Sequence, residues 1–348
     1  MSQHRRLAAG WTRYTRLKAA GVLIPLAATA AIAAPAAHAD TTELAASSPA
    51  GLVQSTGNLY WTANSRSGSD YVGTVYRASK SNTPGQETVL YQQQSATPLN
   101  FGEIKWAEVG DQFYAYFVVN FPSKGISKIE RVSLTGGPAV VLHKSPAPVG
   151  DRELVTDGTD LYWADAAGIR EMPIGGAAKV KTLVHGTTFQ NVALDNTYVY
   201  YTSIVTGPDG VPEGNLNRIT KNGNGKPALE VATQDAGIEA LDTLATPNYT
   251  EYYLGLTNGT VEEGTTLAGI SDVLQAKSVG TEITSISRDP TNGDILWGED
   301  DFLEGFDLAV DFEDGTTGAV TTDAPPLDIQ GDGGAMYWGD EHLEKTTL

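Results

Sequence analysis

The chain contains no cysteine, which excludes disulfides, thiolate nucleophiles and cysteine-bound metal centres. Small exported domains usually depend on disulfides, but a chain of about 300 residues buries roughly three quarters of the surface that it exposes when unfolded. Hydrophobic residues make up 41% of the 348 residues, and the composition is not of the disordered type. We therefore predict one packed domain that is held together by its apolar core.

Basic residues are scarce. The chain has 23 Lys and Arg residues against 42 Asp and Glu residues, a formal net charge of −19. A surface of this sign repels nucleic acids and anionic membranes, so neither is predicted as a partner. The same charge keeps an exported protein soluble and favours a monomer.

Helical periodicity and the common catalytic motifs are also missing. No window has the sustained i, i+3, i+4, i+7 apolar spacing that predicts an amphipathic helix. There is no G-x-S-x-G nucleophile elbow, no phosphate-binding P-loop, no HExxH zinc motif and no EF-hand calcium loop. These absences favour a binding protein, although many enzymes assemble their sites from scattered residues.

The first 39 residues have the features of an export signal. Five basic residues and no acidic ones precede a short apolar run, Ala19–Ala34. Ala37-His38-Ala39 follows this run as an A-x-A processing site. The run is short for a membrane-spanning helix, which needs about 20 apolar residues. We predict cleavage after Ala39, secretion to the extracellular space, and a mature domain of residues 40–348 without a membrane anchor.

The rest of the chain repeats one unit, which is clearest at Leu154–Gly176. Leu154-Val155-Thr156 is a short apolar run, Asp157-Gly158 is a tight-turn dipeptide, and Leu161-Tyr162-Trp163 is a second, aromatic strand. Ile169–Ile174 then alternates apolar and polar residues, as a third strand does. Copies recur at intervals of roughly 40 to 50 residues. They begin near Leu52, Trp106, Leu154, Val192, Ile238, Ile283 and Leu327.

Four short strands per unit, joined by Gly, Asn and Asp turns, are typical of the blades of a β-propeller. The fold class predicted is therefore all-β, with seven blades rather than six or eight. The last unit, Leu327–Leu348, has only three strands. We predict that Thr41–Ala46 supplies its outer strand, because such a closure removes free sheet edges.

The turn and the Tyr-Trp pair, followed by Asp165 or Asp340, resemble the blades of secreted bacterial propellers related to the YWTD, NHL and TolB-type groups. The YWTD tetrapeptide is not intact, since the sequence has Tyr60-Trp61-Thr62-Ala63 and Tyr162-Trp163-Ala164-Asp165. The resemblance implies the propeller fold for the whole mature chain. It does not choose a function, because these groups include receptors, scaffolds, lyases and hydrolases.

The tryptophans at the repeated position are predicted to fill the wedges between blades rather than to stack on a carbohydrate. They are Trp61, Trp163, Trp297 and Trp338. The residue just before the first apolar residue of each inner strand is different, because its charge varies among the blades. Inner strands line the channel of a propeller, so these side chains are predicted to surround one mouth and bind a polar ligand or a cation. They are Lys105, Glu153, Asn191, Glu282 and Asp328, with Gly51 in the first blade and Gly237 or Ala240 in the fifth.

A hydrated rim without a ligand is the alternative interpretation of this ring. If a metal binds there, Ca²⁺ or Mg²⁺ is predicted, with Glu153, Glu282 and Asp328 as ligands. His342 is a candidate catalytic acid or base, because propeller lyases that resemble this fold use histidine. The main hypothesis is a secreted propeller that binds an extracellular protein, small molecule or glycan through one face. The alternative is an extracellular lyase or hydrolase with a divalent cation at the channel mouth.

Overall fold

The computed structural model contains seven antiparallel β-sheets of four strands each. The export signal predicted for residues 1–39 lies outside the part that the structure describes. The described residues are 41–146, 149–176, 179–207, 210, 212–232, 236–275, 281–301, 305–311, 317–322, 325–326, 328–339 and 342–347. Within these ranges, only the backbone is described at residues 150–153, 212, 232, 301, 305–306 and 321.

Each sheet is one blade, and its strands follow one another outward from the centre of the ring. The innermost strands are β2 (Pro49–Gln54), β6 (Asn100–Val109), β10 (Val149–Thr156), β14 (Phe189–Leu194), β18 (Ile238–Ala245), β22 (Thr281–Arg288) and β26 (Asp328–Gly331). The second strands are β3 (Asn58–Ser67), β7 (Gln112–Phe121), β11 (Asp160–Asp165), β15 (Tyr198–Thr206), β19 (Thr250–Leu256), β23 (Ile295–Asp301) and β27 (Ala335–Gly339).

The outer half of each blade is formed by the remaining strands. The third strands are β4 (Asp70–Ser79), β8 (Ile126–Ser133), β12 (Gly168–Pro173), β16 (Pro212–Thr220), β20 (Val261–Thr265), β24 (Gly305–Asp311) and β28 (Leu343–Thr347). The outermost strands are β5 (Thr88–Ser95), β9 (Val140–Ser145), β13 (Lys181–Val184), β17 (Ala228–Ala232), β21 (Gly269–Gln275), β25 (Thr317–Thr322) and, in the last blade, β1 (Thr42–Ala45). A single 3₁₀ turn, Pro122–Lys124, interrupts the described strands.

The inner strands form a closed ring. Each contacts the inner strand of the next blade, and β26 of the seventh blade contacts β2 of the first. The predicted closure is confirmed, because β1 pairs with β28, with Thr42 opposite Lys345 and Ala45 opposite Leu343. The protein is thus the seven-bladed propeller that the repeat predicted. Among the described residues, no helix has the length and hydropathy needed to cross a membrane.

The repeated tryptophans lie in the core, as predicted. Trp61, Trp163 and Trp338 are fully buried, and Trp297 is nearly so. Trp163 of the third blade belongs to one apolar cluster with Tyr116 of the second, so its indole fills the wedge between the two. An aromatic side chain of this size buries about 150–250 Å², which makes these residues the main apolar contact between neighbouring blades.

Aspartates in the turn between the first and second strands also connect the blades. Asp195 Oδ1 accepts the backbone N–H groups of Thr197 and Tyr198, both at 2.6 Å. Its Oδ2 accepts the hydroxyl of Tyr200 at 2.7 Å and that of Thr250, in the next blade, at 2.6 Å. Burial raises the pKa of Asp195, but these hydrogen bonds outweigh burial and hold the pKa below its ordinary value. The carboxylate therefore stays ionised and stabilises the blade interface.

Candidate functional site

The inner strands enclose a central channel. A cavity of about 300 Å³ inside it is lined by residues of β6, β10, β14, β18, β22 and β26. A wider cavity of about 540 Å³ lies where the inner strands begin, and it shares Glu103, Asn191 and Asp328 with the first. This second cavity is one mouth of the channel.

Five carboxylate residues line this mouth, which we call the acidic mouth. They are Glu103, Glu239, Glu282, Asp300 and Asp328. Four amide side chains complete its polar lining. They are Asn64, Asn100, Gln190 and Asn191. Among the lining residues whose side chains the structure describes, which do not include residues 150–153 of β10, none is a lysine, arginine or histidine. Asp242 and Arg288 both line the cavity at the opposite end. The field at the acidic mouth therefore favours a cation.

The structure brings four of the five predicted ring residues together. Lys105, Asn191 and Asp328 line the channel, and Glu282 joins Asn191 and Asp328 at the acidic mouth. Glu153 lies on β10, but its side chain is outside the part that the structure describes.

His342, the candidate acid or base, lies just before β28 and lines neither of these two cavities.

The predicted register was wrong in the fifth and sixth blades. Strand pairing makes Leu52, opposite Trp61, equivalent to Thr243, opposite Tyr252, and to Ile286, opposite Trp297. The preceding residues are therefore Asp242 and Ser285, rather than Gly237 or Ala240 in the fifth blade and Glu282 in the sixth. In the fifth blade the polar Thr243 occupies the place of the first apolar residue, and in the sixth Ile283 and Ile286 are both apolar, so the sequence pattern fixes neither register.

Sequence reasoning missed two acidic residues of the channel. Glu103 lies two residues before Lys105 and therefore on the same side of β6, so the alternation of strand residues was a usable indication. Asp242 precedes Thr243, and the turn closed by the hydrogen bond from Thr246 N to Tyr249 O fixes that register. Counting back from this turn, instead of forward from the start of the repeat, would have found Asp242.

Lys105 places a cation in the channel. Its Nζ donates to Glu103 Oε1 at 2.5 Å, and a quarter (25%) of its side chain remains exposed to the channel. Burial lowers the pKa of Lys105, but Glu103, Asp328 and Asp242 raise it more, and the net pKa lies above the ordinary value. Lys105 is therefore charged and compensates the carboxylate at the bottom of the acidic mouth.

Two carboxylates of the ring also hold the inner strands together. Asp328 Oδ2 accepts the N–H of Leu52 at 2.6 Å, which connects the seventh blade to the first. Asp242 accepts the N–H groups of Thr243 at 2.7 Å and Arg288 at 2.8 Å. Burial raises the pKa of Asp242, and these hydrogen bonds only partly oppose the effect. Both residues thus combine a position in the channel with a structural contact.

The amides of the rim are fixed in place. Asn64 donates to Phe101 O at 2.8 Å and accepts from Phe101 N at 2.7 Å, so it joins the first blade to the second. Asn191 donates to Thr202 Oγ1 and to Ile238 O, both at 3.3 Å. These two amides of the acidic mouth are therefore held in place by hydrogen bonds.

The structure does not test the metal prediction for Glu153, Glu282 and Asp328. Among the residues whose side chains are described, no three carboxylates or imidazoles are placed to hold a metal ion. The side chain of Glu153 lies outside that set, so a site for Ca²⁺ or Mg²⁺ stays a prediction.

Comparison with known proteins supports the fold. No protein-family model matches the chain, and no curated protein matches it. A chain of the mitotic checkpoint complex is similar in structure, with a TM-score of 0.59 and 13% identity over 96% of this chain and 99% of that one.

Two larger proteins contain a similar fold. Raptor from Chaetomium thermophilum has a TM-score of 0.60 at 10% identity, over 87% of this chain and 28% of Raptor. A puromycin-hydrolyzing peptidase from Mycobacterium tuberculosis has a TM-score of 0.58 at 12% identity, over 88% of this chain and 52% of the peptidase. At these identities the likeness shows the fold alone. The class that fold and comparisons define is the β-propeller.

Proposed function

We propose that the chain is an exported propeller that binds a cationic ligand at its acidic mouth. The observation that carries this proposal is the lining of that cavity, which has five carboxylate residues, four amides and no basic residue among the side chains that the structure describes. Clefts lined by one sign of charge concentrate ligands of the opposite sign. A volume of about 540 Å³ is in the range of small-ligand sites, and it also admits the basic side chains of a peptide.

The arrangement of the ring supports binding at the mouth rather than passage through the channel. Lys105 lies inside, paired with Glu103, so a ligand cation that entered deeper would meet a positive charge. Glu239, Glu282 and Asp300 line the acidic mouth but not the channel cavity. We infer that the cationic group of the ligand stays among these outer carboxylates.

The type of ligand that we propose is a basic segment of an extracellular protein partner. A similar propeller occurs in the mitotic checkpoint complex, an assembly of proteins, which supports a protein partner in general terms. The basic start of the chain and the A-x-A site at Ala37–Ala39 support export. A strongly acidic surface favours a monomer in the absence of the partner.

A peptide titration tests the proposal. Calorimetry with hexa-arginine should give binding that weakens as salt rises, because exposed charge pairs are screened, and hexa-glutamate should give none. The double variant Glu282→Gln with Asp300→Asn removes two outer carboxylates. Partly exposed ion pairs contribute up to about 1 kcal/mol each, so the affinity should fall roughly tenfold.

A control variant separates this site from the general charge of the protein. Glu108→Gln with Asp111→Asn changes the net charge equally, and both residues are exposed near the turn between β6 and β7, on the opposite face. This variant should bind hexa-arginine as the parent does. Equal losses in both variants would mean that the peptide senses only net charge, and the acidic mouth would then not be the site.

A further inference from the structure

The second blade departs from the repeat at the pair of residues that forms the wedge. In the six other blades a small or aliphatic residue of the inner strand lies opposite Trp or Tyr of the second strand, as in Leu154 opposite Trp163. In the second blade the order is reversed, because Trp106 of β6 lies opposite Ala115 of β7. The large aromatic side chain of this pair therefore belongs to the inner strand and lies next to the first blade.

A second departure lies two residues earlier on β7. Phe113 is 46% exposed, whereas its counterparts in five other blades are at most 7% exposed. Those counterparts are Leu59, Leu161, Val199, Ile295 and Met336. A position that is core elsewhere in the ring thus presents a phenyl ring at the surface of the second blade. Burying such a ring would be favourable by a few kcal/mol, so the exposed phenyl ring offers apolar contact area to a ligand.

Both aromatic residues line one cleft between the first and second blades, which we call the aromatic cleft. Its volume is about 590 Å³, and Tyr60, Trp106 and Phe113 form its aromatic part. The indole and phenyl centroids are 6.0 Å apart, with the rings tilted by 57°. The cleft opens beside the turn between β2 and β3, on the face opposite the acidic mouth.

Polar side chains surround these rings. They are Ser55, Thr56, Asn58, Arg77, Asp111, Gln112, Ser133 and Thr135. Hydrogen bonds fix the surrounding structure. Trp106 Nε1 donates to Gln54 O at 2.8 Å, and Arg77 Nη1 donates to Leu134 O at 3.1 Å. The aromatic cleft is therefore preformed, which lowers the entropic cost of binding.

We propose that the aromatic cleft binds a neutral oligosaccharide. A pyranose ring presents an apolar C–H face, which packs on an aromatic ring, and a rim of hydroxyls, which donate and accept hydrogen bonds. The lining offers both kinds of contact, and Arg77 and Asp111 balance each other in charge. A wholly apolar ligand would bury the polar rim without partners.

A proline-rich peptide also packs on aromatic grooves, but it fits this lining less well. Proline has no backbone N–H, so such a peptide supplies few donors. The hydroxyl, amide and charged groups of the rim include both donors and acceptors, and a proline-rich backbone, which offers carbonyl acceptors alone, leaves the rim acceptors unpaired. A polyhydroxylated ligand satisfies them, and this difference favours the oligosaccharide.

Binding to an array of neutral oligosaccharides, followed by calorimetry on the full chain, tests the proposal. The array contains hexamers of glucose, mannose, galactose and N-acetylglucosamine, and decaproline is the competing probe. Phe113→Ala and Gln112→Ala alter exposed side chains, so the fold should persist. Each should weaken binding of the preferred hexamer about tenfold or less, with the larger loss for Phe113→Ala.

Leu267→Ala is the matched control, because Leu267 is an exposed apolar residue of the fifth blade. It should leave the affinity unchanged, as should the double variant at Glu282 and Asp300. Binding of no hexamer, or binding that Phe113→Ala does not weaken, overturns the proposal. Binding of decaproline alone overturns it in favour of a peptide site.

Discussion

Asp195 allows a sharp test of how the blades hold together. Replacing it by alanine removes the acceptor for two backbone N–H groups of its own turn and for the hydroxyls of Tyr200 and Thr250. Thr250 belongs to the next blade, so the substitution affects both the turn and the blade interface. We expect the folded state to lose stability without a change in architecture.

The size of the destabilisation depends on whether each hydrogen-bond donor that loses Asp195 can bond to water instead. The exposed turn N–H of Thr197 can bond to water, so its loss contributes little. The buried hydroxyls of Tyr200 and Thr250 lose a charged acceptor, and each such loss costs about 1–3 kcal/mol. A total of about 2–6 kcal/mol corresponds, for a chain of this size, to a decrease in Tm of roughly 3–10 °C.

Calorimetry of the parent, Asp195→Ala and Asp111→Ala provides the measurement. Asp111 is the exposed aspartate in the corresponding turn of the second blade, and its variant should melt within about 1 °C of the parent. The pKa of Asp195 is lowered on folding. Its contribution to the free energy of unfolding is therefore fully present above pH 3.8, the ordinary pKa, and is lost as the pH falls through the lower pKa of the folded state. The difference between parent and variant should therefore shrink below pH 4. A difference of less than 1 °C at pH 7 would refute this reasoning.

Three further predictions concern the closure, the channel and the acidic mouth. Leu44→Ala should lower the free energy of unfolding by about 2–4 kcal/mol, because Leu44 of the closing strand is 1% exposed, whereas the exposed Thr42→Ala should be nearly neutral in chemical denaturation. Lys105→Ala should lower the free energy of unfolding by about 3 kcal/mol, because it leaves Glu103 without its cation. Adding Glu103→Gln should restore part of that loss, so destabilising effects that simply add in the double variant would argue against the ion pair. Ca²⁺ at ten times its Kd should stabilise the parent by about 1.4 kcal/mol, reversibly with chelator, and an identical shift in Glu282→Gln would place the ion elsewhere.

The architecture could be predicted because local chemistry repeats. The Asp157-Gly158 turn and the Leu161-Tyr162-Trp163 strand recur often enough to count seven units, and a three-stranded last unit requires a partner for β28. The side chains that all blades need, such as Trp163, were recognised as core by the same comparison. Turn chemistry and alternation are short-range properties, so a single sequence displays them.

The channel was less predictable because it depends on strand register. Ile283 and Ile286 are both apolar, so Glu282 was assigned to a position that Ser285 occupies. Asp242 was overlooked because the residue after it, Thr243, is polar where the other blades have an apolar residue. The sequence also did not show that the second blade has its aromatic residue, Trp106, on the inner strand and the small Ala115 on the second strand. An apolar pair results whichever of the two strands carries the aromatic residue. It becomes visible only when strand pairing shows which residue of the second blade faces which.

The pairing of β1 with β28 has a mechanical consequence. Thr42 lies opposite Lys345 and Ala45 opposite Leu343, so the chain enters β1 and leaves β28 at the same end of the pair. The hydrogen bonds run perpendicular to antiparallel strands. A force that pulls the two chain ends apart therefore loads these bonds one after another and peels the strands apart instead of shearing them together. Tension on the two ends of the chain would separate β1 from β28, and so open the propeller, before any other blade is strained.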